Sequence, residues 1–292
     1  MPELPDITVY VEKLRERAGG RVLRRLRVLN PFVLRTASPP PAAFEARTLT
    51  GVRNLGKRIV LSFDGGLHAV LHLMIAGRLR WLAATAKPPG RGGLAAFAFD
   101  DGLLVLTEAG TKRRASLHLV EGDDALAALD PGGIDIFAAD AETFARVLTR
   151  GNHTLKRALT DPHAFSGIGN AYSDEILHRA RLSPFKLTSA LEPAEITRLH
   201  AAVREVLAEW TGRLRAEAGD WPRKVTAFHP EMAVHGRYGE PCPVCGAPVQ
   251  RIVYADNEAN YCARCQTGGR LLADRAFSRL LKDSWPRHID DL

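Results

Sequence analysis

Cysteine is scarce in this chain: only Cys242, Cys245, Cys262 and Cys265 occur among 292 residues, all near the C-terminal end. A disulfide framework spreads its cysteines along the chain, so this clustering points to a metal instead. Uninterrupted apolar runs of about 18 residues are also missing, which excludes a hydrophobic helical span. No basic region followed by an apolar stretch and a small-residue cleavage site comes after Met1, so no secretory signal is expected and the predicted location is cytoplasmic. Internal repeats and low-complexity tracts are absent, which argues against solenoid and linker architectures.

What is present is a foldable, basic chain. Hydrophobic residues make up 46% of it, enough for a core without staples, and the length suits two domains or one with an appendage. Lys plus Arg number 40 against 33 for Asp plus Glu, giving a net charge of +7. That excess favours a polyanionic partner, nucleic acid ahead of a membrane surface.

The hydrophobic pattern changes twice along the chain. Asp6 to Glu16 reads as a helix that stops at Gly19-Gly20. From Arg21 to about Glu108, short runs such as RIVLSF, HAVLHL, GRLRWL and GLLVLT alternate with DGG, PPG and DDG turns, predicting an antiparallel β-sandwich or barrel. LDPGGIDIF, residues 129–137, is the linker candidate. Helical patterns follow from Ala141 to about Gly219, and LADRAFSRLLKDSW predicts a closing helix. The fold class is therefore α+β, with expected domains at 1–131 (β-sandwich with a packed helix), 132–231 (helical), 232–267 (metal finger) and 268–292 (a tail with a helix).

Two local motifs carry chemistry. In PCPVCGAPVQRIVYADNEANYCARCQ, two CxxC knuckles are separated by a segment of β-hairpin length. Four thiolates closing a tetrahedron predict one structural zinc ion, with iron as the other metal such soft ligands take, and no open position for water. In SGIGNAYSDEIL, Gly167 and Gly169 permit a tight turn, and the helix that follows offers free N–H groups near Asn170, a phosphate seat. The dinucleotide fingerprint is excluded, because neither a preceding strand nor a third glycine is there. On spacing alone the GxG pattern is weak, and a plain helix hairpin explains the turn better.

Five stretches then converge: MPELPD at the start, NLGKRIVL around Lys57, HLMIAGRL after His72, GIGNAYSDEIL, and VHGRYGEPCPVCG with NYCARCQ. In this order and at these distances the chain resembles the formamidopyrimidine-DNA glycosylase/endonuclease VIII family over nearly its whole length. The resemblance implies a β-sandwich, a helix-two-turns-helix domain and a zinc finger. It also implies a base-excision repair glycosylase with lyase activity on duplex DNA carrying damaged bases or abasic sites, acting as a monomer at the bacterial nucleoid. Pro2, exposed by loss of Met1, becomes the amine nucleophile, Glu3 the acid/base, and Lys57 a contact to phosphate and leaving base. Asp6 is a further active-site carboxylate. His72, Lys156 and Asn170 match phosphate-holding positions.

The wedges that fill the gap left by an extruded base depart from the family. Ile75 stands where a methionine is expected, with Met74 beside it. Arg113 supplies the expected arginine, but Ala115 replaces a phenylalanine. Met74, Ile75 and Ala76 are then the candidates for a single-loop wedge, closer to the endonuclease VIII arrangement and its oxidised-pyrimidine specificity. Asp6 stands for a glutamate, and Asn257 for the finger arginine that grips the lesion phosphate, a loss Arg251 is placed to offset. These departures keep open a damage-binding protein with little turnover.

Overall fold

The structure is a computed structural model that describes residues 1–109, 112–223, 225–226, 228–254, 257–273 and 286–291. Most of the closing helix expected over LADRAFSRLLKDSW, with Phe277, Leu280 and Leu281, lies outside the described residues, as does the side chain of Asn257. Two compact units are present: Met1–Pro131 with Trp210–Thr226, and Gly132–Glu209 with Ala227–Leu292.

In the first unit, helix α1 (Leu4–Ala18) starts two residues earlier than its apolar spacing suggested. Pro5 is tolerated in the first turn, where its missing N–H has no helical partner, and Asp6 Oδ2 accepts the Glu3 N–H at 2.9 Å. The strands are β1 (Arg25–Val28), β2 (Leu49–Leu55), β3 (Arg58–Phe63), β4 (Leu67–His72), β5 (Gly77–Leu82), β6 (Gly93–Ala98), β7 (Leu103–Glu108) and β8 (Ser116–Glu121). They form two antiparallel four-stranded sheets, ordered β1-β6-β7-β5 and β2-β3-β4-β8. Leu26, Phe97, Leu104 and Leu106 of one sheet share a core with Val52, Ile59, Leu71 and Leu119 of the other, and with Ile7, Tyr10 and Leu14 of α1. Tyr10 is further seated by Trp221, whose indole N–H donates to the Leu79 carbonyl at 3.0 Å. The β pattern thus extends past Glu108: β8 pairs with β4, and its Leu117 and Leu119 join the shared core on either side of His118.

A short helix α2 (Asp123–Ala127) closes that segment. Next come α3 (Ala141–Leu148), α4 (Leu155–Thr160), α5 (Asn170–Arg179) and α6 (Pro193–Ala218). The amphipathic stretch read for α6 is one continuous helix of 26 residues. Its last turns, from Trp210, group with the first unit, where Leu214 and Ala218 pack on Val9. In the second unit, β9 (Gln250–Tyr254) and β10 (Asn257–Tyr261) pair as the predicted hairpin, followed by α7 (Ala263–Thr267). Among the described residues no helix is long and apolar enough to cross a membrane.

Candidate active site and metal centre

In the first unit the chain start folds into a cluster of charges. Pro2 and Glu3 are buried, Glu3 to 1% exposure. Burial holds the α-amino group of Met1 below its ordinary value; the carboxylates of Glu3 and Asp6 oppose this, while Arg78 and Lys57 reinforce it. Lys57 arrives on the two-residue turn between β2 and β3, where Gly56 adopts a positive φ of 59°. Its ammonium is depressed by burial and partly restored by Glu3. The fold therefore brings the amine, Glu3, Asp6, Lys57 and Arg78 within electrostatic reach of one another. Arg78 was not singled out in the sequence, because its strand looked like plain alternation.

Asp6 has a definite structural partner, since it accepts the Glu3 N–H and so fixes the backbone of that residue. Burial pushes its carboxyl up to about 7, despite the Glu3 hydrogen bond, and its Oδ1 has no hydrogen-bond partner. It is a helix-start clamp beside the cluster, a role that a sequence comparison with glutamate does not reveal.

His72 ends β4, paired with Arg58 across the sheet. Burial first, then Arg58, Lys57 and His118, lower it to about 4, so the ring is neutral near pH 7. Its Nδ1 accepts the Met74 N–H at 3.0 Å, which leaves Nε2 as the N–H donor of a neutral imidazole. Immediately after it, Met74 takes a left-handed φ of 51°, a conformation that costs a non-glycine residue about 1–2 kcal/mol. The tight turn, closed by the Gly77 N–H on the Leu73 carbonyl at 2.8 Å, presents Ile75 at 57% exposure. Arg78 braces this turn by donating to the carbonyls of Ile75 and Gly77.

The second loop behaves differently. Arg113 is exposed, but Ala115 is buried, and its N–H, with that of Arg114, donates to Glu108 Oε2 at 3.0 and 2.9 Å. Ala115 is thus turned inward as well as small.

In the second unit, Gly167 uses its positive φ of 83° while Gly169 is extended and caps α5. Lys156 is buried rather than presented to solvent. Its Nζ donates to the Asn170 carbonyl at 2.6 Å and to Asp174 Oδ1 at 2.5 Å. Asp174 also meets His235 Nδ1 at 2.8 Å, and the neighbouring Glu175 accepts the N–H groups of Ala233, Val234 and His235. Lys156 therefore fixes the start of α5, where the Asn170 side chain remains half-buried. Asp174, Glu175 and His235 were missed in the sequence; two adjacent acids on a helix gave no sign that both are buried. On the hairpin, the Arg251 guanidinium stacks 4.6 Å over the Tyr238 ring and lies 3.8 Å from Glu258.

The four cysteines bring their sulfur atoms within 4.8 Å of one another. Tetrahedral zinc with bonds of about 2.3 Å needs sulfurs about 3.8 Å apart, and Cys242–Cys265 and Cys245–Cys262 stand at 3.9 and 3.3 Å. Burial holds Cys262 up at about 11, so four thiolates do not coexist there without a cation. The site fits one structural zinc ion held by Cys242, Cys245, Cys262 and Cys265. Each knuckle is backbone-bonded, with Gly246 N–H on the Cys242 carbonyl at 2.9 Å and Gln266 N–H on the Cys262 carbonyl at 3.0 Å, and the Gln266 side-chain Oε1 accepts the Cys262 N–H at 2.8 Å. His178 Nε2 lies 3.3 Å from Cys242 Sγ, a contact from α5 that fits the usual support of a metal ligand.

Comparison with known proteins identifies the domains. A model of the formamidopyrimidine-DNA glycosylase N-terminal domain matches residues 1–115. The H2TH domain of formamidopyrimidine-DNA glycosylase matches 133–213, and the zinc finger found in FPG and IleRS matches 239–268. A formamidopyrimidine-DNA glycosylase of Thermus thermophilus is 34% identical over 282 residues, covering 92% of this chain and all of the relative. An uncharacterized formamidopyrimidine-DNA glycosylase-like protein of Mycobacterium tuberculosis is 42% identical over 156 residues, 53% of this chain and 95% of that protein. The crystal structure of the MutM (Fpg) protein from Thermus thermophilus superposes with a TM-score of 0.76 at 31% identity, covering 91% of this chain and 98% of that one. The Lactococcus lactis Fpg complex with abasic-site DNA, at 23% identity, shares the fold with a TM-score of 0.81 over 91% of this chain and 99% of that one.

Proposed function

Because the chain belongs to the formamidopyrimidine-DNA glycosylase family, we propose that it excises oxidised bases from duplex DNA and cleaves the resulting abasic site through its N-terminal amine. The observation that carries this reading is the cluster at the chain start: Pro2 and Glu3 are buried there, and Lys57 and Asp6 lie within electrostatic reach of the amino end that loss of Met1 passes to Pro2. An α-amine is ordinarily half-deprotonated near pH ~8, so an appreciable fraction of a free Pro2 amine is nucleophilic at neutral pH.

Met1 must first be removed, so that Pro2 presents a secondary amine. Its lone pair attacks C1′ of the damaged nucleotide, and the glycosidic bond breaks with its electron pair leaving on the base, which takes up a proton. Glu3 delivers a proton to O4′ as the C1′–O4′ bond opens, leaving an iminium between Pro2 and C1′. The iminium acidifies the C2′ proton; its removal expels the 3′ phosphate by β-elimination, and a second elimination expels the 5′ phosphate. Water then hydrolyses the iminium and regenerates the amine. In this reading Lys57 and the Nε2–H of His72 hold phosphate oxygens, and the Asn170 amide does so on the second unit. Lys156 acts one step back, through Asn170 and Asp174. Arg251 offers a cation on the finger hairpin. The zinc supplies folding energy to the finger and no chemistry.

Formamidopyrimidines, 8-oxoguanine-type purines and hydantoins are the proposed substrates. A second reading, endonuclease VIII-like preference for oxidised pyrimidines, is favoured by one observation: Ile75 is exposed on its turn while Ala115 is buried, as in a single-loop wedge. A panel of duplexes each carrying one lesion separates the two. The lyase step is tested by incubating protein with a confirmed free Pro2 and an abasic duplex, then reducing with borohydride. A covalent protein–DNA adduct is expected; its absence would leave a damage-binding protein with little turnover. A cytoplasmic location beside the nucleoid follows from the DNA substrate.

A further inference from the structure

A cleft of about 930 Å³ in the first unit is lined by Arg35, Arg78, Arg80, Arg91 and Arg113, with Phe32 among them. Glu108, the acid in its lining, already accepts the N–H groups of Arg114 and Ala115. The cleft is thus strongly cationic, which suits a polyanion. It also opens beside the proposed wedge: Ala76 of the Ile75 turn lines it, and Arg78 reaches from it both to that turn and to the electrostatic neighbourhood of the chain start.

Phe32 is 82% exposed. A lone exposed apolar side chain needs no explanation, but this one is held in place. It sits in a 3₁₀ turn, Pro31–Val33, where Asn30 Oδ1 accepts the Phe32 N–H at 3.1 Å and Val33 is buried in the core. Directly behind it, Leu34 pairs with Leu117 and the Arg35 N–H donates to the Leu117 carbonyl at 2.9 Å. Leu117 lies two residues beyond Ala115. The turn that carries Phe32 is therefore fastened to the same strand end that carries the inward-facing alanine.

We infer that Phe32 replaces the aromatic wedge missing at Ala115: it stacks on the base opposite the extruded nucleotide, while the arginines of the cleft hold that strand's phosphates. The inference rests on the glycosylase reading above. A ring needs no hydrogen-bond pattern to stack, so Phe32 stabilises the gapped duplex with little regard to which base is opposite, and Arg113 is left to discriminate.

The test uses the full chain and a duplex with a tetrahydrofuran abasic analogue opposite 2-aminopurine. Stacking quenches 2-aminopurine, so the wild-type complex should be dim. Phe32→Ala should weaken affinity for this duplex by about tenfold, within the range of one aromatic–base stack, change affinity for undamaged duplex less than about twofold, and leave the complex bright. Phe32→Trp should restore affinity and show its own indole emission quenched on binding. Because Phe32 is exposed, neither variant removes core packing, and unchanged thermal unfolding checks this. Equal affinities and equal 2-aminopurine signals for wild type and Phe32→Ala would overturn the inference, while borohydride adduct formation would leave the glycosylase reading standing. If the wild type neither binds this duplex nor forms the adduct, both fall.

Discussion

Asp6 shows how much one side chain's surroundings change its meaning. Its carboxyl is pushed up to about 7 by burial, against an ordinary value near 3.8. Between those two values the native state holds a proton that the unfolded state has lost, so the folded protein is favoured at the acid end and loses that advantage as pH rises toward 7. In Asp6→Asn this titration is gone, while an amide oxygen can still accept the Glu3 N–H. Whatever fixed offset the amide introduces, the stability difference should move in the variant's favour by on the order of 3 kcal/mol between pH 4 and 8, read from urea unfolding across that range. A difference that stays flat with pH would contradict the buried, protonated carboxyl. For Glu3 the expectation concerns chemistry: Glu3→Gln should bind abasic duplex as the parent does and lose base excision by at least about 100-fold in single-turnover assays, the usual worth of a general acid. Pro2→Gly should lose most of both activities and most borohydride adduct.

At the scale of elements, the start of α5 is held by a buried ionic network, and its parts are unequal. Lys156 and Asp174 are both almost fully buried, so Lys156→Met leaves the carboxylate with His235 and without its cation, and should cost about 3–5 kcal/mol, seen as a fall in the thermal midpoint. The double variant Lys156→Met with Asp174→Leu should recover much of that loss if the cost is the unpaired charge; no recovery would mean that the pair does more than neutralise itself. Glu175→Gln keeps one oxygen that can accept the N–H groups of Val234 and His235 but loses the acceptor for that of Ala233, so it should cost less than Glu175→Ala, which leaves all three unmet. Helices were the elements most legible in the sequence, since the 3.6-residue period of α3 to α6 is carried by each helix alone. Strands β2 and β8 were less so. In β2, Gly51 and Asn54 interrupt the run, and β8 is made a strand by its partner β4. The wedge loops were legible in composition but not in direction: the inward turn of Ala115 depends on Glu108, seven residues away in sequence.

For the whole molecule, two measurements bear on the reading. One zinc per chain should be released by a chromophoric chelator, and the stripped protein should become sensitive to proteolysis within residues 239–268 while the first unit keeps its strand signature. Affinity for undamaged duplex should fall at least about tenfold from 50 to 200 mM salt if the arginines of the cleft and Lys57 neutralise phosphates; a salt-independent affinity would argue against backbone binding.

The sequence by itself determined what is local or rigidly spaced: the helices with their period, the CxxC pairs that fix a tetrahedral thiolate site, and the glycine turn before α5. It also contained the motif MPELPD and the order of five stretches that mark the family. Tertiary structure decided which charges meet. Lys57 comes from a hairpin turn and Arg78 from a different sheet to surround the chain start, Lys156 is withdrawn into a pair with Asp174, and Phe32 stands at the rim of an arginine cleft beside a strand more than eighty residues away along the chain. The physical reason is that periodicity and ligand spacing are short-range constraints, whereas burial and Coulomb coupling depend on distances that only the packed sheets and helices set.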